Sequence, residues 1–169
     1  MTPAPGRFPA DTAHQVPGHK YPLVARINSK LRLFGEFLLK SVSSAVVQAS
    51  GARSDTTMVT SGPVTSINGT DTGPTWSFML GFFDNNTTML VVNQDSNHPA
   101  LASLVFANAS VCDTVTGRLL MEVDPVTGLL ATAQDDSPAL PGFQVSLLAG
   151  DARLFAWRPS AQVTDSMWQ

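Results

Sequence analysis

From Tyr21 onward the sequence is a succession of short apolar runs cut by Gly, Pro, Asn and Asp. This punctuation constrains the fold more than any other feature. Breaks recur at roughly 8 to 15 residues, the spacing of an all-β sandwich or barrel built from antiparallel strands. The turn signals are Ser-Gly-Pro at 61–63, Asn-Gly at 68–69, Asp-Asn-Asn at 84–86, Asp-Pro at 124–125, Pro-Gly at 141–142 and Gly-Asp at 150–151. Between them, strands are expected at Leu31–Leu39, Ala45–Ala49, Met58–Val59 with its neighbours, Trp76–Phe83 and Thr88–Val92. Further strands are expected at Leu101–Asn108, Gly117–Val123, Leu129–Ala133, Gln144–Leu148 and Arg153–Trp157. Val, Thr, Phe and Trp dominate these runs, as a pleated, half-buried surface favours. Strand alternation puts Trp76, Phe78 and Phe82 on one face, read as a core stripe before a carbohydrate-stacking platform. Trp157 is expected to close the core.

One segment has two readings. Between Leu31 and Ala49, the residues Phe34, Phe37, Leu38, Val42, Ala45 and Val46 also fall on one helical face. Gly35 and the run Ser41–Ser44 have weak helix propensity, so two strands with a bend near Ser43 are the expectation, with at most one short helix in the chain. Residues 1–22 carry Pro3, Pro5, Pro9, Pro17 and Pro22 with Gly6 and Gly18. That density removes backbone donors and reads as an extended strap or a hinge to something upstream. The β-rich domain is placed at 23–160, and 161–169 is a polar tail holding Trp168.

Composition narrows the functional classes. Hydrophobic residues make up 43% of the 169-residue chain, too many for a disordered polar segment. Charged residues are 14%, against about 25% in ordinary domains. With a formal net charge of −3, phosphate-backbone binding is disfavoured as the main task, so no nucleic-acid partner is expected. No apolar run approaches the roughly 20 residues of a membrane span, so no membrane partner is expected. The N-terminal stretch shows no apolar core of a secretory signal. Cys112 is the single cysteine, which excludes an internal disulfide framework and a cysteine-based zinc site.

Catalytic patterns are sparse. The histidines are His14 and His19 in the proline-rich stretch and His98 before Pro99, a spacing that does not place two ligands one helical turn apart. No G-x-S-x-G, Walker loop or G-x-G-x-x-G occurs. Asp135 and Asp136 are adjacent carboxylates before Pro138, read as a solvated turn rather than an acid–base pair. Cys112 reads as a small buried hydrophobe. Sequons begin at Asn68, Asn85, Asn86 and Asn108, but a chain rich in Asn and Thr produces several by chance. No catalytic residue, metal or cofactor is assigned.

The last third carries a family pattern. Leu104-Val105-Phe106-Ala107-Asn108 is followed by Thr116-Gly117-Arg118 leading into Leu119–Glu122, then Gly128–Ala133, then Pro141–Val145, and finally Leu154-Phe155-Ala156-Trp157-Arg158-Pro159. This series resembles the C-terminal stem half of the protruding domain of calicivirus major capsid proteins, especially those of noroviruses. Upstream, Leu31–Leu38 with its Gly35-Glu36 pair and Trp76–Leu80 are similar to family strands, and the proline-rich start is similar to the hinge after the shell domain. Two departures stand out. Where the family inserts a large outer subdomain, this chain has Phe82–Ala100, and Ala109–Asp113 interrupts the link from Asn108 to Thr116-Gly117-Arg118. The family's glycan-contacting residues lie in the missing insertion and are not transferable.

The resemblance implies a non-enzymatic protruding domain on the virion surface, produced in host cytoplasm. Its expected partners are a second copy as a homodimer, a capsid shell domain, and a host glycan or protein receptor. Receptor recognition is placed, by loop position alone, at Asp84, Asn85, Asn86, Asp95, Asn97 and His98. Two rivals stay open: another viral β-rich binding module such as a fibre head, and a small β-barrel enzyme or ligand carrier whose polar site assembles in three dimensions. His98, Asp84 and Asp95 meeting in one deep cleft would favour the last.

Overall fold

The structure is a computed structural model that describes residues 21–53, 55–71, 74–107, 112–113 and 118–159. The proline-rich residues before Tyr21, Asn108 and the tail after Pro159 lie outside the described residues, so the strap and tail expectations are not addressed there. Among the described residues the chain opens with one helix, α1 (Tyr21–Leu38), and then runs through eleven strands. The first six are β1 (Ser43–Ala52), β2 (Thr56–Met58), β3 (Val64–Asp71), β4 (Thr75–Phe83), β5 (Thr88–Asn93) and β6 (Ala100–Phe106). The rest are β7 (Cys112–Asp113), β8 (Arg118–Val123), β9 (Leu130–Thr132), β10 (Phe143–Leu147) and β11 (Ala152–Pro159).

All pairings are antiparallel, and the strands form two sheets. The seven-stranded sheet runs β1-β4-β5-β11-β8-β7 with β9 also on β8, and the four-stranded sheet runs β10-β6-β3-β2. The expected all-β sandwich is the observed fold. Its core is the interleaving of the two inner faces. Trp76, Phe78, Leu80 and Phe82 form an unbroken buried stripe along β4, every second residue, as expected for a strand with one face on a core. Ile67, Leu104, Phe143, Val145 and Leu147 from the other sheet meet them, all within 3% of complete burial. Edge-to-face rings stitch the layers: Phe143 against Phe155 at 5.9 Å, and Phe106 against Trp157 at 5.6 Å.

The strand expected at Leu31–Leu39 is corrected: residues 31–38 belong to α1 and Leu39 lies in the turn after it, while Tyr21 and Pro22, expected in the strap, open that helix. The weak formers named against a helix do not oppose it. Ser41–Ser44 fall after its last turn, and Gly35 sits where a Cβ would meet nothing within 4 Å, so it costs only its propensity, about 1 kcal/mol. The apolar period decides the matter. Phe34 is buried against Val123 and Leu154, and Phe37 and Leu38 join it beside Leu90, Leu130 and Ala152. α1 thus covers part of the outer face of the seven-stranded sheet as a third layer. One turn before Phe34, Lys30 Nζ donates to Asp151 Oδ1 at 2.5 Å and pins the helix to the start of β11.

A second correction concerns Asn68-Gly69. The dipeptide is not a turn but the interior of β3, paired to Ser103 and Ala102. A Cβ on Gly69 would stand 2.4 Å from Trp76 Cγ, so the glycine admits the indole of the opposite sheet. The other turn signals mark real turns or bends, with Gly62, Gly142 and Gly150 all at positive φ.

The Asp135-Asp136 turn lies at the surface, yet both carboxylates are engaged. Asp135 Oδ1 accepts from the Ser137 and Gln144 amides, and Asp136 Oδ2 accepts from the Ser146 amide at 2.7 Å and from the Arg153 guanidinium. Arg153 also makes a two-pronged pair with Glu122, at 2.7 and 2.6 Å. Burial alone would lower the Arg153 pKa, but the Glu122 hydrogen bonds and charge, reinforced by Asp136, raise it above its ordinary value. With the Ala133 amide bonded to Leu120 O and the Asp136 amide to Gln144 O, this segment closes one side of the sandwich from β8 to β10.

Candidate functional site

The residues expected to form one recognition loop are separated by β5. Asp84, Asn85 and Asn86 form the β4–β5 turn, whereas Asp95, Asn97 and His98 follow β5 at its far end. Six residues of strand put the two groups about 20 Å apart. The cleft that would have joined His98, Asp84 and Asp95 does not form.

The far group is a self-contained turn. Asp95 Oδ1 accepts from the Asn97 and His98 amides at 2.7 and 3.2 Å, and Asp95 Oδ2 stands 2.8 Å from His98 Nδ1. Buried Asn93 sits beneath it: Oδ1 accepts from the Asp95 amide, and Nδ2 donates to His98 O and Leu148 O. The His98 ring and then the Asn97 amide hold the Asp95 carboxyl below the usual aspartate range, so it stays ionised at neutral pH. Its hydrogen-bonding capacity is spent on its own loop.

The near group has a different character. Asp84, Asn85 and Asn86 all adopt left-handed backbone, at φ 53°, 54° and 65°. Asp and Asn tolerate that region better than other side-chain-bearing residues, which explains this composition at the tip of a tight hairpin. The tip is tied to the start of β1, where Val42 N donates to Asp84 Oδ1 at 2.9 Å, Asp84 N to Val42 O at 2.8 Å, and Asn85 N to Ser44 Oγ at 3.1 Å, and to β11, where Trp157 N donates to Thr87 O at 2.8 Å. The Asn85 and Asn86 side chains are exposed.

The tip also borders a half-open groove of about 430 Å³ between the end of α1, the β8–β9 turn and the end of β11. Leu33, Phe37 and Leu129 give it an apolar floor, while Glu36, Lys40, Asp84 and Arg158 set charges of both signs around it. Thr88, Thr127 and Ser41 add hydroxyls, the last donating to Phe37 O at 3.0 Å. The β8–β9 turn is built firmly: Asp124 Oδ1 accepts from the Thr127 and Val126 amides at 2.7 and 2.8 Å, and these bonds hold its carboxyl low. The groove can hold a small polar ligand by hydrogen bonds over an apolar face. Among the described residues no histidine or cysteine lines it, and no group of three or more His, Cys, Asp and Glu is placed to hold a metal ion.

Of the residues expected to carry recognition, Asp84 alone lines this groove, with Asn85 and Asn86 at its margin. Leu33, Glu36, Phe37 and Lys40 were missed because a strand reading scatters them over two faces. Their spacing of three, four and seven residues is a helical face, and that period was the available signal. Compared with known families, curated proteins and solved structures, the chain matches none of them.

Proposed function

We propose that this chain is a protruding-type viral capsid domain that projects from the virion shell and attaches to the host cell without catalysing a reaction. The observation that carries the reading is that the segments whose sequence resembles the calicivirus stem, expected there as strands, each contain one: β6, β8, β9, β10 and β11. The site supports it as well. A rigid sandwich presents an asparagine-rich tip beside a groove whose hydroxyls, charges of both signs and apolar floor match the surface of a sugar. We therefore place host-glycan recognition at the Asp84–Asn86 tip and the adjoining groove, and not at the Asp95–His98 turn.

The test is a glycan array probed with the full chain, followed by titration of any glycan retained. Selective retention is expected, weakened about tenfold or more by Lys40→Ala, a loss of ~1.4 kcal/mol. Absence of retention by any glycan, or retention indifferent to Lys40→Ala and to Asn86→Ala, would overturn the assignment.

A further inference from the structure

Loop tips of a sandwich are ordinarily polar, because the sheets have already buried the apolar residues. The 84–86 and 94–98 turns of this domain follow that rule. The loops around the groove do not. Leu39 is 88% exposed just past α1, Val42 is 74% exposed just before β1, and Val126 is 83% exposed in the β8–β9 turn. These residues lie on two loops far apart in sequence. Both loops border the same groove, through Lys40 and Ser41 on one bank and Thr127 and Gly128 on the other.

Hydrogen bonds fix the backbone beneath each exposed side chain. Leu39 N donates to Gly35 O at 2.9 Å and Ser41 N to Leu38 O at 3.1 Å, winding the chain tightly past the helix. Val42 is held by Asp84 through both its N–H and its C=O. Asp124 Oδ1 accepts from the Val126 and Thr127 amides, and Gly128 N donates to Asp124 O at 2.8 Å. The apolar groups are therefore presented outward on ordered backbone, which lowers the entropy lost when something covers them.

Charge and shape select what covers them. Lys40 and Arg158 in the groove are matched by Glu36 and Asp84, and Asp124 beneath Val126 adds one more carboxylate. An anionic surface gains nothing from that set. A zwitterionic head group can place its phosphate by the cations and its ammonium by the carboxylates. A stable protein partner needs about 800 Å² of closely fitted surface on each side. Three tips ranged round an open, charged groove do not supply a continuous face of that kind. The fluid interface of a bilayer closes around separate side chains without matching their shape.

We infer that this end of the domain docks on a zwitterionic phospholipid bilayer, with Leu39, Val42 and Val126 entering the head-group boundary. The contact is interfacial and needs no spanning helix, of which the described residues contain none. The lack of a spanning run in the sequence therefore has no bearing on it. The inference goes beyond the glycan reading and does not need it.

Co-sedimentation of the full chain with sugar-free phosphatidylcholine vesicles tests it. Half-saturation is expected between about 0.1 and 5 mM lipid, no tighter than a single myristoyl anchor. Binding should persist in about 1 M salt, where the Debye length is about 3 Å, because apolar contact and not net charge drives it. Val126→Asp should weaken binding at least about fivefold, and Leu39→Ser likewise. Both side chains point into solvent, so circular dichroism should be unchanged in either variant. No pelleting up to about 5 mM lipid, or pelleting as strong in the Leu39→Ser, Val126→Asp double variant as in the parent, would overturn the inference. So would binding confined to anionic vesicles and lost in salt, or a chain that ignores vesicles and self-associates through these side chains. Vesicles without sugar read the lipid contact alone, so this result is separate from glycan retention.

Discussion

Gly69 shows how a single hydrogen atom in place of a side chain sets the layer spacing. It lies in mid-strand, where glycine has no backbone advantage, and its value is the space it leaves for Trp76. The indole fills that space, is 99% buried, stacks on Phe78 at 5.5 Å and donates to Ala52 O. Gly69→Ala should therefore cost about 1–3 kcal/mol by overpacking. Urea unfolding followed by Trp fluorescence checks it, and an unshifted midpoint would mean that the sheets can part without penalty. Asn-Gly reads as a turn from sequence because the dipeptide favours left-handed backbone locally. Nothing local reveals that an indole seven residues on, in the other sheet, requires the same glycine for its smallness. At the 84–86 tip the local rule did hold, because an exposed hairpin end has no packing partner to override it.

At the scale of elements, α1 and β1 are where patterning and packing part company. Residues 31–38 satisfy a helical period and tolerate a strand, and only the presence of an uncovered outer sheet face selects the helix. Phe34 is the residue that commits it, buried at 4% exposure against Val123 and Leu154. Phe34→Ala should cost about 3–5 kcal/mol, with loss of helical circular dichroism below the main unfolding transition if α1 detaches first. A stability change under about 1 kcal/mol would show that α1 merely rests on the sheet. Detachment would also dismantle the groove, since Leu33, Glu36, Phe37 and Lys40 all come from α1 or the turn just after it. Half of the candidate site was thus hidden behind one choice of secondary structure. Asp84–Asn86 was legible because turn chemistry is written in adjacent residues.

Across the whole molecule, Arg153 joins parts that no sequence window contains. It extends from the middle of the large sheet to Glu122 on β8 and to Asp136, whose other hydrogen bond holds β10 of the small sheet. Its side chain is 15% exposed, so removing it strands two partly buried carboxylates. Arg153→Ala should lose about 3–5 kcal/mol at neutral pH, measured by urea unfolding. Arg153→Met, which restores apolar volume but not the charge, should recover part of that loss only when Glu122→Gln is added; full recovery by methionine alone would mean that volume and not charge holds the closure. By itself the sequence determined the strands whose alternation is unambiguous, the turns marked by Gly, Pro, Asn and Asp, and the buried stripe of β4, because each depends on contacts within a few residues. The tertiary structure decided the helix, the use of Gly69, the Arg153 bridge and the parting of Asp84 from Asp95. These depend on which surfaces meet across the sandwich, and a strand of six residues is long enough to place neighbours in sequence at opposite ends of the molecule.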